Sequence, residues 1–145
     1  MGREGSHEMV TKNKEQSDIS ISQFGYRLIR QELLSELLGT DKEQLLYWAG
    51  KSLARKFPRQ SIEEICHFFK EADWGELTLV KEKKAEYTFQ LVPVLNQCKE
   101  DFKLEAGFIA EQIQNIKDCI TETKMSSKKQ SIIFTVQSDI KDTIN

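Results

Sequence analysis

The hydrophobic period of this chain changes at Trp74-Gly75, and that change restricts the fold more than any composition value does. Before it, apolar residues recur at the three- and four-residue spacing of an amphipathic helix. After it, they alternate with polar residues at the two-residue spacing of a half-buried strand. Helical blocks first and strands later predict an α+β domain.

Three helices are expected before the switch. Ile21, Phe24, Tyr26, Leu28, Ile29, Leu33 and Leu37 make a broad stripe on the first, which Gly39 closes as a C-terminal cap. Asp41 caps a second helix that runs to Phe57 and is stopped by Pro58, with Leu45, Leu46, Ala49, Leu53 and Phe57 expected inside. Ser61 opens a third, with Glu64 completing a capping box and Ile62, Ile65, Cys66 and Phe69 turned inward. After the switch, Leu77 and Leu79, then Tyr87, Phe89 and Leu91, define two strands joined by the charged segment Lys81 to Glu86. Pro93 ends the second strand, and a polar connection, Asn96 to Asp101, leads into a long helix with the stripe Ile109, Ile113, Ile116 and Ile120. A loop rich in Ser and Lys follows, then a last strand with Ile132, Phe134 and Val136. The expected order is α-α-α-β-β-α-β, with the helices on one side of an antiparallel sheet. Residues 1–19 lack apolar periodicity and read as a disordered polar tail; residues 20–145 read as a single domain.

Charge and cysteine usage narrow the partners. The 145 residues carry 21 basic and 23 acidic side chains, a net charge of −2, which argues against nonspecific binding to nucleic acid. No apolar run approaches the roughly 18 residues of a membrane span, and the polar N-terminus has no signal-peptide core. Cys66, Cys98 and Cys119 are odd in number and lack paired spacing, so a reduced, cytoplasmic compartment is expected.

Motifs that carry chemistry are scarce. Gly50-Lys51-Ser52 matches the end of a phosphate-binding loop, but that motif needs a glycine at position 45, where Leu45 stands. It also needs a loop, and amides engaged in a helix cannot cradle phosphate. Neighbouring side chains on a helix point about 100° apart, so Cys66 and His67 do not converge on a metal. Lys51, Arg55, Lys56 and Arg59 complement the dipole at the end of the second helix, or face an anionic partner. Glu63, Glu64, Glu71, Asp73 and Glu76 read as a solvated acidic face. No acid, base and nucleophile converge, so neither an enzyme nor a cofactor or metal is expected.

Two clusters of small residues stand out. Ala106, Gly107 and Ala110 lie on one face of the long helix, and Ala49, Gly50 and Ala54 form a similar patch on the second. Gly107 weakens its helix by about 0.5–1 kcal/mol relative to alanine, which implies a close contact there. Its partner is expected to be the sheet, the second helix or a bound molecule.

Tyr47-Trp48-Ala49-Gly50-Lys51, Leu53 to Pro58, Phe68-Phe69 with Trp74-Gly75, and Leu104 to Gln114 together resemble the YslB-like proteins of Gram-positive bacteria. The resemblance runs from about Phe24 to the last strand. It implies the ligand-binding fold of nitric-oxide-signalling and Golgi-transport domains, the four-vinyl-reductase type and the TRAPP subunits. Several such relatives hold a hydrophobic molecule or an acyl chain on cysteine, and many dimerise through their helices. Cys98 lies near where some relatives place that cysteine, but Lys99-Glu100-Asp101 beside it is charged, which argues against acylation. The expectation is a cytoplasmic, non-enzymatic homodimer that acts as a sensor or adaptor. A small hydrophobic ligand would sit in a core pocket lined by Trp48, Leu53, Phe69, Gly107 and Phe108. The rival expectation is a protein-interaction module without a cavity.

Overall fold

A computed structural model of the chain describes residues 23–95 and 97–143, with side chains to residue 140. The expected tail and the start of the first helix lie outside the described residues. The chain forms two units, one ending at Gly39 and the other starting at Thr40.

The first unit is a helix, α1, over residues 23–38. Its Leu28–Leu33 stretch is π-helical, and Leu34–Leu38 returns to regular α-helix. Gly39 ends it as expected, at φ +63°, and donates its N–H to the Ser35 carbonyl. Phe24, Leu28, Ile29, Leu33 and Leu37 are all exposed.

In the second unit, helices α2 (Lys42–Lys56) and α3 (Ile62–Glu71) precede strands β1 (Gly75–Glu82) and β2 (Glu86–Pro93). Helix α4 (Lys103–Lys117) and strands β3 (Cys119–Lys128) and β4 (Ser131–Thr143) complete it. The four strands form one antiparallel sheet in the order β1-β2-β4-β3. Leu77, Phe89, Leu91, Ile132, Phe134 and Val136 fill the covered face, while Thr78, Val92, Glu122 and Lys124 face outward. Helix α4 packs on β3 and β4, α2 packs along α4, and α3 packs on β1. Covered from both sides, α4 is buried at every position from Leu104 to Ile113. A helix buried all round needs apolar or small residues on every face, and Leu104, Ala106, Gly107, Phe108, Ile109, Ala110 and Ile113 supply most of them.

The α+β class and the antiparallel sheet stand as expected, with one further strand, and the helices of the second unit lie on one side of that sheet. The Ser- and Lys-rich segment is β3, so the order is α-α-α-β-β-α-β-β. Helix α4 stops before it because Asp118 adopts a left-handed conformation (φ +58°) and donates its N–H to the Gln114 carbonyl. Ile120 therefore belongs to the outer face of the sheet and Ile116 is exposed, so neither extends the helical stripe. The capping of α3 is as expected in part. Ser61 Oγ accepts the Glu64 N–H at 3.2 Å, whereas Glu64 Oε1 accepts from Gln60 N–H at 2.7 Å. Asp41 holds the N-cap position of α2 without a side-chain capping bond.

Candidate functional site

The two patches of small residues meet each other. A Cβ on Gly107 would overlap the Tyr47 carbonyl oxygen, lie 2.9 Å from its carbon and 3.2 Å from Lys51 N. One on Gly50 would overlap the Leu104 carbonyl oxygen and lie 2.8 Å from Phe108 N. Helices α2 and α4 thus touch backbone to backbone across a reciprocal pair of glycines. Of the three partners open to Gly107, the second helix is the one it meets. The buried residues of α2 are accordingly Leu46, Gly50 and Ala54, not the larger stripe expected. Leu45 and Phe57 are 40% and 47% exposed.

This contact sorts the expected pocket residues. Phe69 and Phe108 are fully buried and meet edge to face, their centroids 6.0 Å apart. Trp74 stands edge-on to both, and Phe68 stacks on Phe108 at 4.5 Å. Arg59 lies 5.0 Å from the Phe68 centroid and closes this aromatic cluster on its outer side. Gly107 is buried against α2, and Leu53 is half-buried. Trp48 does not belong to the core. It is 63% exposed, because the face of α2 that meets α4 is the small-residue face and Trp48 lies on the opposite one.

Polar side chains fasten the layers. Gln112, fully buried on α4, accepts the Arg59 N–H at 3.0 Å and donates to the Phe57 carbonyl at 2.8 Å. It thereby satisfies both sides of the α2–α3 connection around Pro58. Glu111 lies 3.4 Å from Arg55. On the other flank the Tyr47 hydroxyl accepts the Thr123 N–H, and Gln114 Oε1 accepts the Thr121 N–H, each at 3.1 Å. Strand β3 has β4 as its one neighbour in the sheet, so these two bonds occupy donors on its outer edge and blunt it against strand addition.

Beside Tyr47 an open groove of about 780 Å³ runs between α2, the start of α4 and the edge of β3. Its lining includes Gln44, Tyr47, Lys51, Lys103, Ile120, Glu122, Thr123 and Met125. Burial raises the Tyr47 pKa; the Thr123 N–H opposes this, while Glu122 and Glu111 add to it. The Cys66 thiol is also held up, by burial and by Glu63. His67 is exposed on the outer side of α3 with Glu71 at 3.6 Å. Sequence reasoning missed Tyr47, Gln112 and Gln114. Polar residues inside a helical pattern read as solvent-facing, and only a neighbour on another element reveals that Gln112 is an internal brace.

Comparison with known proteins places this geometry in a family. Residues 23–137 match the family described as "Protein of unknown function (DUF2507)". The chain is 46% identical over 135 residues to "Uncharacterized protein YslB" of Bacillus subtilis, covering 88% of this chain and 91% of that protein. It is 30% identical over 113 residues to "Uncharacterized protein MJ1642" of Methanocaldococcus jannaschii, covering 73% of this chain and 68% of the relative. The crystal structure of a vinyl-4-reductase family protein from Methanocaldococcus jannaschii superimposes with a TM-score of 0.59. That match covers 95% of this chain and 99% of the other at 18% identity, which is a likeness of fold.

Proposed function

The chain belongs to the DUF2507 family, and we propose that it is a non-enzymatic interaction domain that pairs with a second copy of itself through the outer face of α2. The observation that carries this reading is Trp48, 63% exposed, with Leu45 40% exposed three residues before it. An exposed indole on a helix surface is the kind of anchor that dominates protein interfaces. Ser52, half-buried, lies on the same face, four residues beyond Trp48. Large and small positions on one face complement each other under a two-fold rotation: each Trp48 finds the low ground at the partner's Ser52.

The expected core-pocket residues favour this reading over an enclosed ligand, because Phe69, Phe108 and Gly107 are occupied by one another and by α2. The non-enzymatic part rests on the Cys66 thiol, whose raised pKa disfavours the reactive thiolate, and on His67, which points to solvent beside Glu71. No described helix is long and apolar enough to cross a membrane.

Sedimentation equilibrium at micromolar concentration tests the proposal. The expected mass is twice 16.8 kDa, and Trp48→Glu should halve it without moving the unfolding midpoint. A monomeric parent protein, or a variant that remains dimeric, overturns it.

A further inference from the structure

The groove beside Tyr47 lies on a different side of α2 from the face carrying Trp48, and its chemistry is distinct. Two ammonium groups lie against one ring: Lys51 Nζ is 5.7 Å and Lys103 Nζ 6.0 Å from the Tyr47 centroid. Lys124 lines the same groove from β3. Among the described residues none of these three lysines is in an ion pair, although Glu43 and Glu122 also line the groove. By contrast Lys42, at the start of α2, is held by Asp101 at 2.7 Å.

The floor of the groove also holds unused polar capacity. Thr123 is 5% exposed, and its hydroxyl has no hydrogen-bond partner among the described residues. Buried hydroxyls are nearly always hydrogen-bonded, so an unpaired one beside a groove is unused polar capacity. Tyr47 accepts the Thr123 N–H and keeps its own O–H proton to donate. The Tyr47 ring, Ile120 and Met125 supply an apolar part of the lining. A volume of about 780 Å³ suits a small organic molecule.

We propose that this groove binds a small amphipathic anion, its phosphate or carboxylate head between Lys51 and Lys103 and its apolar part along Tyr47, Ile120 and Met125. Lysine suits either head, since it acts as a point charge and does not demand the two-pronged geometry of arginine. The apolar part covers surface that water otherwise wets, which a bare inorganic anion cannot do.

Decyl phosphate, decanoate, decanol and inorganic phosphate, titrated separately into the full chain, test this by amide chemical shifts. At least one of the two charged amphiphiles should shift the Lys51, Lys103 and Thr123 amides, and whichever binds tighter identifies the head. Decanol and inorganic phosphate should each bind at least tenfold more weakly. The double variant Lys51→Gln, Lys103→Gln should lose at least tenfold in affinity while keeping its unfolding midpoint. The proposal is overturned if neither amphiphile shifts these amides, if decanol or inorganic phosphate binds as well, or if the double variant binds unchanged.

Discussion

Replacing Gly107 by alanine puts a methyl group where α2 already has backbone. The new Cβ overlaps the Tyr47 carbonyl oxygen and lies 2.9 Å from its carbon, against 3.4 Å or more in ordinary contact. Both are main-chain atoms inside a helix, so no side chain can swing aside and the helices themselves must part. The carbon contact alone requires about 0.5 Å and the oxygen more; a gap of roughly 0.5–1 Å forfeits a quarter to a half of each dispersion well along the interface. Overpacking of this kind costs about 1–3 kcal/mol, occasionally more. Alanine returns up to about 1 kcal/mol of helix propensity, leaving a net loss near 1–2 kcal/mol for Gly107→Ala. Gly107→Leu should lose more. Gly50→Ala acts on the same crossing through Leu104, so once the helices have parted, the second substitution should cost less than it does alone. Urea unfolding of both singles and the double measures all of these. A Gly107→Ala protein as stable as the parent, or strict additivity with Gly50→Ala, refutes the close-contact reasoning.

Gln112→Leu should destabilise by about 2–4 kcal/mol, since it strands a donor at Arg59 and an acceptor at Phe57. Hydrogen exchange at Arg59 should accelerate with it, and an unchanged exchange rate would show that the brace is dispensable. Tyr47 makes stability depend on alkaline pH. Its folded pKa is raised above 10.0, so the contribution of the neutral phenol is complete below pH 10 and is lost as pH rises through the folded value. Tyr47→Phe should flatten that alkaline decline and, by leaving the Thr123 N–H without its acceptor, lower stability at pH 7 by about 1 kcal/mol. A decline as steep in the variant as in the parent assigns the effect to other groups.

The class of fold is legible in the chain's hydrophobic pattern, because periodicity reports which side of each element meets water. The shift at Trp74-Gly75, the Gly39 and Pro58 stops and the Ser61 cap are local features, and each stands in the structure where local physics puts it. Strand β3 was hidden because its inward positions, Thr121 and Thr123, are polar. Thr121 is accommodated by bonds that alternation cannot reveal, Oγ1 to the Cys119 carbonyl and to Ser138, each at 2.8 Å. The site depended on tertiary structure even more. Two glycines far apart in the chain become one contact only when α2 lies on α4, and that contact turns Trp48 outward and Tyr47 toward β3. A helical repeat shows that a helix has faces; which face is buried was decided by how closely the neighbouring backbone could approach.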